Sequence, residues 1–179
     1  MKNSPIGMFD SGIGGITILN SIKKLLPKEN IIYYSDNFNS PYGNKSKSEI
    51  KELSFKNTEF LINKGCKLII VACNTATTNS IKELRSNFNI PFVGIEPAIK
   101  PAALHTKTGC IGVLATKGTL SSYLFNNTSN NHGSNVKIVE KNAEGLVELI
   151  ENGIFNGEKI QNILRKCLNP MIKQKIDFL

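Results

Sequence analysis

Seven short runs rich in isoleucine, valine and aromatic residues punctuate the chain, at 6–9, 31–35, 68–72, 92–95, 111–115, 136–139 and 176–179. Most are continuously apolar rather than alternating, the pattern of parallel strands covered on both faces. Between them the apolar period becomes that of a helix. Ile16, Leu19, Ile22 and Leu26 share one face, as do Ile50, Leu53, Asn57, Phe60 and Leu61, and later Leu146, Leu149 and Ile150. Strand alternating with helix predicts an α/β fold of doubly wound parallel sheet. Pro97 and Pro101, just after the fourth run, place a boundary between two such units, 1–97 and 98–179. The stretch 126–135 (NNTSNNHGSN) has no apolar period and is expected to be a polar loop, with His132 a solvated residue in it.

Composition removes several function classes. No apolar run approaches the length of a membrane span, and the first 15 residues lack a signal-peptide pattern, so a cytoplasmic protein is expected. Its Asn-x-Ser/Thr sequons then carry no meaning. The net charge of +8 comes from 20 lysines and two arginines, Arg85 and Arg165, spread along the chain rather than clustered with stacking aromatics. That is a solvated lysine surface, not a nucleic-acid face. The cysteines, Cys66, Cys73, Cys110 and Cys167, form no Cys-x-x-Cys pair, and His105 and His132 have no ligand-spaced partners. Free thiols and no metal are expected.

In open parallel sheets ligands bind outside the carboxyl ends of the strands. There this chain carries Asp10-Ser11-Gly12-Ile13-Gly14-Gly15, then Asp36 with Pro41-Tyr42-Gly43, then Cys73-Asn74-Thr75, Glu96-Pro97 and Thr116-Lys117-Gly118-Thr119. The first loop begins a Gly-x-Gly-x-x-Gly, but its third position is Thr17, and no Gly-Lys-Ser/Thr occurs. A dinucleotide or P-loop site is therefore disfavoured. Backbone amides suited to a carboxylate remain.

A free cysteine is ordinarily a small buried hydrophobe. Cys73 differs by position: it follows a buried strand and opens a helix at Asn74-Thr75-Ala76-Thr77, where aligned N–H groups lower a thiol's pKa. It is expected to be the most reactive of the four thiols. Cys66 and Cys110 fall at strand beginnings and Cys167 in a helical stretch, so these three read as structural. A cysteine hydrolase needs a histidine base, and neither histidine falls near the end of the third strand. Base chemistry on a carbon acid suits the neighbouring neutral donors better.

Read together, these loops resemble the glutamate racemases of the cofactor-independent aspartate/glutamate racemase superfamily. The resemblance rests on Phe9-Asp10-Ser11-Gly12-Ile13-Gly14-Gly15, Tyr34-Ser35-Asp36, Pro41-Tyr42-Gly43, Ala72-Cys73-Asn74-Thr75-Ala76-Thr77, Gly94-Ile95-Glu96-Pro97 and Ile111-Gly112-Val113-Leu114-Ala115-Thr116-Lys117-Gly118-Thr119, in family order over nearly the first 120 residues. Beyond them Leu146-Val147-Glu148-Leu149-Ile150-Glu151-Asn152-Gly153 is the best stretch. It implies interconversion of L- and D-glutamate for peptidoglycan, without pyridoxal phosphate or metal, by two thiols on opposite faces of the α-carbon. Cys73 would be the first thiol. Asp10 would assist it or bind the ammonium group, and Ser11, Pro41, Tyr42, Gly43, Asn74, Thr75, Thr116 and Thr119 would hold the substrate, with Glu151 as an addition. The implied partners are glutamate and at most a second copy of the chain as a homodimer, with no nucleic acid and no membrane.

The family's second cysteine lies in a Gly-Cys-Thr-His segment just after a later strand, and residues 176–179 read as that strand. The resemblance thus implies two similar units, the second and the end of the first incomplete, with only the first catalytic cysteine retained. Turnover by such a chain alone is expected to be poor. The competing readings are an aspartate racemase or one-cysteine decarboxylase or isomerase, and a non-catalytic amino-acid-binding remnant.

Overall fold

The computed structural model describes residues 4–132 and 136–179. Two compact units result, Met1–Glu96 and Pro97–Leu179. The first holds β1 (Ile6–Asp10), α1 (Gly15–Leu25), β2 (Ile31–Ser35), α2 (Lys47–Asn63), β3 (Leu68–Val71), α3 (Asn74–Asn87) and β4 (Phe92–Gly94). Its four strands are parallel in the order β2-β1-β3-β4. Every residue of the central β1 is buried, the result of covering a parallel strand on both faces. Ile6 and Met8 join Ile70 and Ala72 beneath Ile18, Leu19 and Ile22 of α1. Gly7 faces the other way: a Cβ there would lie 2.8 Å from Ile69 Cδ1 and 3.1 Å from Leu61 Cβ of α2. Helices on opposite faces make the unit doubly wound, as the apolar runs predict.

The apolar stripe of α1 differs from the expected one. Ile18 replaces Ile16 on the packed face, and Ile16 and Leu26 are exposed. The helix begins at Gly15, against the sheet, so its first turn is fixed by the β1 loop and the stripe is rotated by that anchor. On α2, Ile50, Ser54, Asn57, Thr58 and Leu61 are buried while Phe60 is exposed beside Tyr34. A complete capping box sets its start, with Ser46 Oγ accepting from the Glu49 N–H and the Glu49 carboxylate from the Ser46 N–H.

The second unit holds α4 (Ile99–His105), β5 (Cys110–Ala115), α5 (Lys117–Leu120), α6 (Tyr123–His132), β6 (Lys137–Asn142), α7 (Leu146–Glu151) and α8 (Glu158–Ile172). β5 and β6 pair in parallel, Cys110 opposite Lys137. Ile111, Val113, Ile99 and Phe125 form a core on one face of β5; Cys110, Val139 and Met171 form another. Three expectations change here. The stretch expected as a loop is largely helix α6; Gly133, Ser134 and Asn135 lie outside the described residues. Asn and Ser are poor helix formers, but Phe125 is almost fully buried and its N–H bonds to Ser122 Oγ, so tertiary anchoring and a local cap outweigh propensity. β6 starts a residue later and ends three later than its apolar run, with exposed residues along it. The run 176–179 makes only a single parallel bridge, Phe178 to Ile111, rather than a strand. Asp177 turns its carboxylate onto Thr106 Oγ1 and the Lys107 and Thr108 N–H groups just upstream of that bridge.

Candidate active site

Strand register alone brings two loops together. β1 pairs with β3 with Phe9 opposite Val71, and the Ala72 N–H still donates to the Phe9 carbonyl at 2.9 Å. The residues that follow, Asp10-Ser11 and Ala72-Cys73, therefore leave the sheet side by side. From there the chain after β1 crosses to β2 on one side and the chain after β3 to β4 on the other, which makes this the switch point of the sheet. Ser11 Oγ lies 3.5 Å from Cys73 Sγ.

Cys73 caps α3, its sulfur accepting from the Ala76 N–H at 3.4 Å. The expected helix-start position is thus present, but the expected acidity is not. Burial first, and then the negative charge of Asp10, push the Cys73 thiol up to about 11, against the opposing bonds from Ser11 and Ala76. Losing water disfavours the thiolate more than these contacts favour it. The expectation of preferential reactivity also loses its footing in exposure, because all four cysteines are buried. At neutral pH Cys73 is a thiol. Burial pushes the Cys66 thiol up as well; Cys66 precedes β3, Cys110 opens β5 and Cys167 lies within α8.

Asp10 is 6 % exposed, and its Oδ2 accepts from the Gly12 and Gly15 N–H groups at 3.0 and 3.1 Å. Burial still raises its pKa, outweighing those bonds and a hydrogen bond with Cys73. Both groups are pushed toward their protonated forms, so the pair resists holding two negative charges at once. Gly15 is required here: a Cβ would sit 2.7 Å from both Asp10 Cβ and the Tyr33 hydroxyl.

The remaining first-unit candidates gather at the same sheet edge. Asn74 opens α3 and is exposed; Thr75 is buried, its carbonyl accepting from Asn79 Nδ2 at 2.9 Å. Pro41 leads into a short 3-10 turn, Tyr42–Asn44, in which Tyr42 and Gly43 are buried. The Tyr42 hydroxyl donates to Asp36 Oδ2 at 2.5 Å and accepts from Asn57 Nδ2 at 2.9 Å. Burial and the Asp36 carboxylate raise its pKa, keeping it a neutral phenol. In the second unit Thr116 caps α5, with its Oγ1 3.2 Å from that of the buried Thr119. Glu151 ends α7. Among the described residues no group of three or more His, Cys, Asp or Glu is placed to hold a metal ion, and no helix is long and apolar enough to cross a membrane.

Four residues to which the sequence gives no role support the site. Tyr33 and Ser35 both donate to the Gly12 carbonyl, at 2.9 and 2.6 Å, and so clamp the loop that carries Asp10. Asp36 and Asn57 hold Tyr42. Asn57 had left a signal: an amide on the packed face of a helix requires a buried partner.

Residues 14–179 match the family model described as Asp/Glu/hydantoin racemase. The chain belongs to this racemase family. Glutamate racemase of Clostridium perfringens (strain SM101 / Type A) is 46% identical over 177 residues, covering 98% of this chain and 68% of that protein. The crystal structure of a Bacillus anthracis glutamate racemase isoform superposes with a TM-score of 0.86 at 34% identity, covering 99% of this chain and 67% of the other. A Francisella tularensis glutamate racemase, solved with D-glutamate, gives 0.84 at 30% identity, covering 98% and 66%. The chain therefore spans about two thirds of the length of these racemases, in a common α/β fold of parallel sheets.

Proposed function

We propose that this chain is a glutamate racemase that receives its substrate at the carboxyl ends of β1 and β3, with Cys73 as the thiol that exchanges the α-proton. The observation that carries this reading is the Asp10–Ser11–Cys73 cluster: a buried carboxylate and a buried thiol that together resist a second negative charge. Burial is the larger cause of the raised thiol and the Asp10 charge the next; an α-ammonium group beside Asp10 would offset the second. Substrate binding would then itself shift Cys73 toward the thiolate that removes a proton. Ser11, Asn74, Thr75 and the backbone of the 41–43 segment supply neutral donors for carboxylates. Roles for Thr116, Thr119 and Glu151, all on the second unit, rest on the resemblance. No pyridoxal phosphate or metal enters the scheme. Residence in the cytoplasm, supply of D-glutamate for peptidoglycan and assembly as a homodimer belong to the same reading; sedimentation analysis tests the last.

Racemisation by this route takes a second thiol on the opposite face, and the 179 residues contain no Gly-Cys-Thr-His segment. The test is L-glutamate incubated with the purified chain in deuterated water, followed by proton NMR and circular dichroism. Slow α-deuteration with configuration retained, abolished by Cys73→Ser and unaffected by a chelator, is expected. Exchange that persists in Cys73→Ser overturns the assignment of the thiol; full racemisation by this chain alone overturns the two-thiol reading.

A further inference from the structure

A buried carboxylate stands beside the cluster without belonging to it. Asp36 is 4 % exposed, and its partners are neutral: Asn39 Nδ2 donates at 2.9 Å to Oδ1, and the Tyr42 hydroxyl donates at 2.5 Å to Oδ2. Asn57, near the middle of α2, donates in turn to the Tyr42 oxygen. The phenol has one proton, which goes to Asp36, and its oxygen takes the amide of Asn57. Tyr42 itself is 1 % exposed. Its side chain is fully engaged inward, and the ring ties the loop after β2 to a rigid helix.

We propose that Asp36, Tyr42 and Asn57 are positioning residues that fix the 41–43 segment for substrate, so that Tyr42 serves through its backbone and not through its hydroxyl. The inference rests on the glutamate reading for what the segment binds, and on geometry alone for the chain of contacts. Three features support it. A buried carboxylate is tolerated only when its hydrogen bonds are made, so Asp36 strongly favours the one loop conformation that delivers Tyr42 to it. Asn57 supplies the orientation from α2, whose own start is fixed by the capping box. Gly43 has no side chain to offer, so whatever that residue gives a ligand comes from backbone held in place by its neighbours. A neutral Tyr42 also keeps a further negative charge away from Cys73.

The test compares Tyr42→Phe, which removes only the hydroxyl, with Asp36→Asn, which keeps an acceptor for it. Hydrogen exchange by mass spectrometry needs no ligand. Loss of the hydroxyl's bond to Asp36 predicts about tenfold or faster exchange at 37–44 in Tyr42→Phe, with β1 and β3 unchanged; Asp36→Asn, which keeps an acceptor oxygen but loses the charge, should fall between the parent and Tyr42→Phe. Titration calorimetry should show glutamate binding weakened by about tenfold in Tyr42→Phe, while the pH profile of Cys73 alkylation stays where it was. Unchanged exchange at 37–44 overturns the proposal, and so does acceleration that spreads equally to β1 and β3, the mark of a merely structural role. A shifted Cys73 profile with unchanged glutamate affinity also overturns it, because the hydroxyl would then act at the reacting atoms. Failure of the parent chain to bind glutamate sinks the substrate reading and leaves hydrogen exchange to decide the relay.

Discussion

Removing the Asp10 charge should make Cys73 more acidic. In the folded protein the thiol stands at about 11 against an ordinary 9.0, with burial the larger cause and Asp10 the next. Two pKa units correspond to about 3 kcal/mol and an approximately hundredfold loss of thiolate, leaving about one molecule in a thousand ionised at pH 8. Asp10→Asn keeps the shape and an acceptor oxygen for the Gly12 and Gly15 amides while deleting the charge. A rise in thiolate on the order of tenfold is expected, since burial remains. The assay is the rate of iodoacetamide alkylation of the Cys73 peptide, followed by mass spectrometry across the pH range, with far-ultraviolet circular dichroism to confirm folding. The parent should show its midpoint near pH 11. A parent midpoint below about pH 8.5, or an Asp10→Asn rate at pH 8 no faster than the parent's, would refute the electrostatic account. The linkage has a definite sign: the folded pKa is raised, so the contribution to stability is present below about pH 9 and is lost as pH rises through about 11.

Two further outcomes follow from packing and charge. Gly15→Ala gains up to about 1 kcal/mol of helix propensity but drives a Cβ into Asp10 and Tyr33; overpacking of that kind costs about 1–3 kcal/mol, so urea unfolding should show net destabilisation. The Asp177 carboxyl, held down to about 2 chiefly by its bond from Thr106, favours the folded state above its unfolded pKa and loses that effect as pH falls toward about 2. Asp177→Asn should accordingly melt lower than the parent at neutral pH, and the gap should close in acid; a gap that is the same at both extremes would show that the carboxylate's charge is irrelevant.

The first-unit strands were legible because continuous apolar runs have few other fates in a chain of this size. Their carboxyl-end loops were legible for the same reason, and so was the company Cys73 keeps. What register adds is distance. No pattern along the chain says that Asp10 presses on the thiol, and the position of Cys73 at a helix start pointed to the opposite shift. α6 was missed because its stability comes from one buried phenylalanine and a serine cap, not from its asparagines. Ile16 and Ile18 exchanged places because a helix phase is set where the helix is anchored, at Gly15, and the period alone fixes only spacing.

The sulfur of Cys73 does two jobs, since the atom that would move a proton is also the acceptor for the first turn of α3. A thiolate accepts an N–H more strongly than a thiol does. Whenever the proton leaves, the start of α3 should therefore tighten, and whenever it returns, slacken. The amide resonance of Ala76 then becomes an intrinsic meter of the charge on Cys73, readable in a nitrogen–proton correlation spectrum without labelling the sulfur. Alanine at this position would silence the chemistry and uncap the helix together, whereas serine leaves an oxygen acceptor for the cap and separates the two.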